Sequence, residues 1–161
     1  MTRNPWLQLL AASTLLLAAC GPPADRVLVR RFELQRARFE ELRVAACQLP
    51  IWQHINDSGL TDPEMDKARV DWFLGRMREV GAHDLVVQGR LPDCIVQLGI
   101  WAFGYAGTPA DYKNYVYTRA VRPEGTTRIV RNLDNPPSSD RSEALERPLG
   151  DGWWLEYVSY P

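Results

Sequence analysis

The spacing of apolar residues changes near residue 84, and this change constrains the fold more than any other feature of the chain. Before it, apolar residues recur every three or four positions, which is the period of an amphipathic helix. After it, they form short runs typical of β-strands. Helices that precede strands, rather than alternating with them, favour an α+β fold. We therefore predict two N-terminal helices packed on an antiparallel β-meander of about four to five strands.

The first predicted helix begins at Asp25, which can cap it, and runs to about Cys47. Its apolar stripe consists of Leu28, Phe32, Phe39, Leu42 and Ala46. Six arginines fall mostly on its other faces: Arg26, Arg30, Arg31, Arg36, Arg38 and Arg43. Glutamates dilute this charge, so the pattern favours an ordinary solvated face with local ion pairs. Contact with anionic lipid headgroups is the alternative.

The second predicted helix follows a turn-rich connection over residues 51–60. Thr61 and Glu64 have the spacing of a capping box, and the helix runs to about Val80, where Gly81 suits its C-terminal cap. Strand candidates then cover residues 85–88, 94–103, 115–121, 127–133 and 152–160. The third and fourth of these would form a hairpin. The stretch over residues 134–150 is predicted to be a long exposed loop.

The N-terminal residues have the pattern of a secretory signal. A positive start at Arg3 precedes an apolar stretch of about 13 residues, shorter than the ~20 that span a bilayer. The stretch ends in Leu17-Ala18-Ala19-Cys20, which resembles the lipobox of bacterial lipoproteins. The resemblance implies a diacylglycerol on the Cys20 sulfur, cleavage before Cys20 and acylation of the new amine. A plain signal peptide with an incidental cysteine is the alternative.

This resemblance implies three segments. Residues 1–19 would be the lipoprotein signal peptide, residues 20–24 a short lipid tether, and residues 25–161 a single α+β domain. The four residues after Cys20 reach at most about 14 Å, so the domain should lie close to the membrane. Gly21, in place of Asp, is similar to the outer-membrane pattern. We expect a periplasm-facing protein anchored in the outer membrane in preference to the inner one.

The remaining cysteines, Cys47 and Cys94, form an even pair once Cys20 is acylated. An oxidising compartment favours a disulfide between them, and two buried free thiols are the alternative. The bridge would close a loop of 48 residues. The loss of loop entropy from the unfolded chain would then contribute about 4 kcal/mol of stability.

Charge and motifs exclude several classes of function. Loss of Arg3 with the signal leaves 18 basic against 20 acidic residues, a net charge of −2, which gives no case for a nucleic-acid partner. His54 and His83 are isolated, so we predict no metal site and no cofactor.

Asp93-Cys94 is faintly similar to the start of the Asp-Cys-Ser-Gly motif of cell-wall cysteine peptidases. That family places its histidine after the cysteine, whereas both histidines precede it here. With no phosphate loop or nucleophile elbow either, we predict no catalytic residues and no enzyme activity.

Aromatic residues in the strand region form the remaining candidate site. The candidate binding face comprises Tyr115, Tyr117, Trp154 and Tyr160. Aromatic rings exposed on a sheet suit a protein partner or a glycan, and core packing is the ordinary explanation. We expect a lipid-anchored envelope protein that binds another envelope protein, as an accessory, an inhibitor or an immunity-type factor. A binder of a small molecule, lipid or peptidoglycan is the alternative, and an envelope enzyme is a third possibility.

Overall fold

Two helices and one seven-stranded sheet make up the part of the chain that the structure describes. The structure is a computed structural model that describes residues 21–50, 52–57, 65–104, 110–119, 128–134 and 143–160. The helices are α1 (Asp25–Ala46) and α2 (Lys67–Val80). The strands are β1 (Gln53–Asn56), β2 (Asp84–Gln88), β3 (Ile95–Phe103), β4 (Ala110–Tyr117), β5 (Arg128–Ile129), β6 (Glu143–Gly150) and β7 (Trp153–Tyr160). The predicted mixed α+β class is confirmed.

The order of the strands differs from the predicted meander. The sheet runs β1-β2-β3-β4-β7-β6-β5, so the last strand lies between β4 and β6. Five of its neighbouring pairs are antiparallel, whereas β5 and β6 are parallel. Trp153, Leu155 and Tyr157 of β7 are buried, because they lie on the face of the sheet that packs against the helices. The prediction of four to five strands in a purely antiparallel meander is therefore wrong.

Two strands lie where the sequence indicated turns or a loop. β1 falls within the predicted connection over residues 51–60, and β6 within the predicted loop over residues 134–150. The predicted hairpin strand over residues 127–133 is reduced to β5, which pairs with β6 instead of β4. β1 forms through pairing with β2, about 30 residues later, which local turn propensity does not report. β6 instead forms a hairpin with β7, joined by the turn at Asp151 and Gly152.

The N-terminus of α1 is built differently from the prediction. Ala24 occupies the cap position and offers no side-chain hydrogen bond, while Asp25 is the first helical residue. The Asp25 side chain is buried and bonded to the rest of the domain instead of to its own helix. The predicted signal peptide over residues 1–19 and Cys20 lie outside the described residues. Neither helix in the described part of the chain is both long and apolar enough to cross a membrane.

α2 begins later than predicted. Asp66 caps it by accepting a hydrogen bond from the Arg69 amide at 2.9 Å. The capping box over residues 61–64 lies outside the described residues. Gly81 ends the helix with a left-handed φ of 71°, as the sequence indicates.

The predicted disulfide between Cys47 and Cys94 is confirmed, with Cα atoms 5.7 Å apart. It joins the end of α1 to the residue before β3, and both cysteines are buried. The bridge therefore holds the C-terminal end of α1 against the sheet. Residues of α1, α2 and the helix-facing side of the sheet form one hydrophobic core.

Candidate functional site

The four predicted aromatic residues lie on two different faces of the sheet. Tyr115 and Tyr117 point towards the helices and are 0% and 2% exposed. Trp154 lies opposite Val116 in the register, so it and Tyr160 share the other face of the sheet. Trp154 is half-buried, and Tyr160 is 49% exposed. Of the four, Tyr160 is the residue best placed to contact a partner.

Tyr115 and Tyr117 have structural contacts that account for their burial. The Tyr115 ring lies 4.7 Å from that of Phe39, and its hydroxyl donates to the Leu28 carbonyl at 2.8 Å. Burial raises the pKa of Tyr115 above its usual range. The Arg43 guanidinium lies over the Tyr117 ring at 4.8 Å. These two tyrosines therefore join α1 to the sheet.

An open groove of about 750 Å³ lies on the face of the sheet that points away from the helices. Residues of β1, β2, β3, β4 and β7 contribute to it. Tyr160 lines this groove, and Trp154 is not among its lining residues. The groove has the size of a ligand or side-chain binding site, so we take it as the candidate functional site.

Aromatic rings form one side of the groove. Trp101, Tyr112 and Tyr160 line it, and the rings of Tyr112 and Tyr160 meet edge to face at 5.9 Å. Phe103 stacks on Trp101 at 6.3 Å and is exposed, but it is not a lining residue: it lies opposite Asp111, on the same face of the sheet as Lys113. Rings that contact one another keep their orientation, so this side of the groove presents a preformed apolar surface.

Polar side chains form the floor. Five carry amide or carboxylate groups: Asn56, Asp57, Asp84, Gln97 and Asn114. Asp84 Oδ1 lies 2.5 Å from His54 Nε2, and the Asn114 amide donates to Glu156 Oε2 at 3.2 Å. These contacts hold the Asp84 carboxylate and the Asn114 amide in defined orientations at the floor of the groove.

Gly99 keeps the floor open. It lies opposite Asp84 in the register, and a Cβ at this position would lie 2.9 Å from Asp84 Cβ. A larger residue would therefore displace Asp84 from its place beside His54. The described residues that line the groove offer amide, carboxylate and imidazole groups together with aromatic rings, and none of them is Ser, Thr, Cys or Lys. No group of His, Cys, Asp or Glu in the described residues is placed to hold a metal ion.

A buried ion cluster supports the groove from behind. Lys113, between Tyr112 and Asn114 on β4, points to the opposite face and is fully buried. Its Nζ lies 2.7 Å from Asp25 Oδ1 and 3.4 Å from Asp134 Oδ1, and donates to the Pro23 carbonyl at 2.9 Å.

The partners of Lys113 are themselves fixed by the backbone. The Leu133 amide donates to Asp25 Oδ2 at 2.7 Å, and the Asp25 amide donates to Asp134 Oδ1 at 2.6 Å. Burial raises the pKa of the Asp134 carboxyl, but the Asp25 amide and the charge of Lys113 outweigh this and hold the pKa below its usual value. β4, which carries two lining residues of the groove, is thereby locked to the start of α1.

No family model, curated protein sequence or solved structure matches this chain. Its function therefore has to be inferred from its own residues.

Proposed function

We propose that this protein is a lipid-anchored protein of the bacterial cell envelope that acts by binding another envelope protein, without catalysis. In this role it would be an accessory, an inhibitor or an immunity-type factor. The lipobox-like segment ending at Cys20 supports the anchor. It supports a periplasm-facing position, with the outer membrane favoured over the inner.

The exposed rings beside the groove are the observation that carries the binding proposal. Tyr112 and Tyr160 line the groove and are 37% and 49% exposed. Large aromatic rings that project into solvent around a concave surface are typical of the residues that dominate binding energy in protein interfaces. Their mutual contacts hold them in place before a partner arrives, which lowers the entropy lost on binding.

The charge of the groove indicates the character of the partner. Of the lining residues that the structure describes, Asp57 and Asp84 are acidic and none is Lys or Arg. Arg78 lies 3.3 Å from Asp57 and offsets part of this charge, while Asp84 is paired with a histidine. A partner segment with hydrogen-bond donors and one or two apolar side chains would complement this surface.

A glycan, such as a peptidoglycan strand, is the second candidate ligand. The combination of Asn56, Gln97 and Asn114 with neighbouring aromatic rings favours it. Planar amides form paired hydrogen bonds with adjacent sugar hydroxyls, and aromatic faces pack on the C–H face of a sugar ring. This candidate uses the same groove and differs in what occupies it.

Site-specific photocrosslinking in cells tests the proposal. A photoreactive amino acid replaces Tyr160 in one variant and Ile129 in the control, which is 66% exposed on the edge strand β5, is separated from β7 by β6 and does not line the groove. We expect one envelope protein to be crosslinked at position 160 and not at position 129. Loss of that adduct in a Tyr112→Ala background would assign it to the groove.

Two other outcomes decide between the candidates. Crosslinking of position 160 to peptidoglycan fragments, with retention of the purified protein on isolated sacculi, would replace the protein partner by the glycan. Equal crosslinking at both positions, or none at either with no retention on sacculi, would refute binding through the groove.

A further inference from the structure

We propose that the N-terminal half of α1 lies on the anionic phospholipid surface of the membrane that holds the lipid anchor. The inference rests on the anchor at Cys20 that the proposed function includes. It adds a second contact, between protein side chains and lipid headgroups, which sets the orientation of the domain.

The segment that follows the proposed anchor at Cys20 is bonded to the rest of the domain from Pro23 onwards. Lys113 holds the Pro23 carbonyl, and Asp134 holds the Asp25 amide. Cys20 precedes Pro23 by three residues, a span of at most about 11 Å. The distance from the first turn of α1 to the headgroups is therefore similar to the Debye length, about 8 Å at physiological salt. Electrostatic attraction over that distance is only partly screened.

The surface exposed at this end of α1 is basic and partly apolar. A shallow groove of about 800 Å³ is lined by residues that include Arg26, Arg30 and Arg147. Val27 and Leu34 also line it and are 47% and 73% exposed. Glu33 is the only carboxylate among the described residues that line this groove. Arginines beside exposed aliphatic side chains are the composition of helices that rest at a membrane interface.

Ion pairing separates the two halves of α1. Beyond the kink at Gln35, Arg36 pairs with Asp151 at 3.1 Å, and Arg43 with Glu40 at 2.7 Å. In the described structure neither Arg26 nor Arg30 lies within ion-pair distance of a carboxylate. The expected local ion pairs thus account for the arginines of the second half, while those nearest the anchor have their charge available for headgroups.

This orientation leaves the candidate functional site accessible. Leu28 and Phe32 point from α1 into the core, and the helical period places Arg30 and Leu34 on the opposite side of the helix. The groove that contains Tyr160 lies on the far face of the sheet. With α1 on the membrane, that groove opens away from the lipid surface.

Depth-dependent quenching on vesicles tests the inference. The full lipidated protein carries a fluorescent amino acid in place of Leu34, or of Val44 in the control, which is 47% exposed on the same helix. The vesicles contain a nitroxide-labelled lipid in phosphatidylcholine, alone or mixed with phosphatidylglycerol. We expect strong quenching at position 34 only with the anionic lipid, a loss of quenching at high salt, and weak quenching at position 44 throughout.

Paired substitutions separate charge from anchoring. In an R26Q/R30Q variant the ratio of docked to undocked domains should fall roughly 30-fold, since each arginine near an anionic surface contributes about 1 kcal/mol. An R36Q/R38Q variant should match the parent, because these arginines already have carboxylate partners. Equal quenching at positions 34 and 44 on vesicles that retain the protein would overturn this inference alone. A protein that does not float with vesicles would overturn the anchor and this inference with it.

Discussion

Lys113 and Asp25 form a fully buried salt bridge between β4 and the first turn of α1. Its atoms, Nζ and Oδ1, lie 2.7 Å apart, and the other Asp25 oxygen accepts hydrogen bonds from the Leu133 amide and from Arg147. A buried charge that loses its partner keeps its desolvation cost, so such a cluster tolerates little change. The salt bridge therefore defines where α1 begins relative to the sheet.

Lys113→Met should lower the free energy of unfolding by about 3–5 kcal/mol, because Asp25 would lose the partner that neutralises its buried charge. Lys67→Met is the matched control. Lys67 also pairs with an aspartate, Asp71, but it is 87% exposed, so its loss should cost less than about 0.5 kcal/mol. Urea unfolding of both variants measures the difference. Equal midpoints would show that the buried pair contributes nothing beyond a surface pair.

Replacement of Cys47 and Cys94 by alanine should destabilise the domain by about 4 kcal/mol, because the unfolded chain regains the entropy of the closed loop. Reduction of the wild-type protein should lower its unfolding midpoint in the same way and leave the double variant unchanged. Peptide mapping without reductant should show the two cysteine peptides joined. Free thiols at both positions would contradict the bridge.

Cys20→Ala should release the protein from membranes, because the thiol that accepts the diacylglycerol is absent. Gly21→Ala is a conservative control, since a Cβ at position 21 meets no atom within 4 Å. Fractionation of cells, with metabolic labelling by a fatty acid, measures both effects. Unchanged membrane association and labelling of the Cys20→Ala protein would rule out the anchor.

Tyr160→Ala should weaken binding to the groove partner by about 2 kcal/mol, roughly 30-fold, while changing stability by less than about 1 kcal/mol. Tyr115→Phe should show the opposite pattern. It removes the buried hydrogen bond to the Leu28 carbonyl, costs about 1 kcal/mol of stability and leaves affinity unchanged. Titration of each purified variant with the crosslinked partner, beside urea unfolding, checks both. A loss of affinity in Tyr115→Phe alone would move the binding site to the core side of β4.

Stability should fall in acid partly through Asp134. The pKa of its carboxyl is lower in the folded protein than in the unfolded chain, where it is near 4. The stability that Asp134 contributes is therefore fully present above pH ~4 and is lost as the pH falls through the pKa of the folded protein. Unfolding midpoints between neutral pH and pH ~3 should therefore decline less steeply in Asp134→Asn, which starts from a lower midpoint at neutral pH. Parallel curves for the two proteins would show that Asp134 takes no part in the acid response.

Residue periodicity predicted the two helices and their order before the sheet, because apolar stripes such as that of α1 are set within a single segment. It missed β6, where Leu145, a buried aliphatic residue of the core, is followed by Glu146, Arg147 and Pro148. Residues of this kind favour a loop by local propensity. They form a strand here because β7 offers them a full partner.

The candidate site was partly within reach of the sequence. Strand alternation separates Tyr112 from Tyr115 and Tyr117, so two faces were predictable from these residues alone. The side of the sheet that the helices cover is set by long-range contacts such as those of Lys113 with Asp25 and Asp134. Local sequence patterns do not predict such contacts. The groove also needs Asp84 beside His54, a contact made only when β1 pairs with β2.

The long-range contacts of α1 set the order in which this protein can fold. Glu40 accepts a hydrogen bond from the Trp153 indole at 2.7 Å, and Asp25 depends on Leu133 and Arg147, all more than 90 residues later. α1 comes first in the chain, but its tertiary contacts are complete only when the C-terminal strands are in place. Contacts between residues so far apart in sequence slow folding. Until β7 is in place, the stripe containing Phe32 and Phe39 lacks the Trp153 ring that covers it together with Tyr115 of β4. In the partly folded chain, this apolar stripe is the surface that a chaperone would bind.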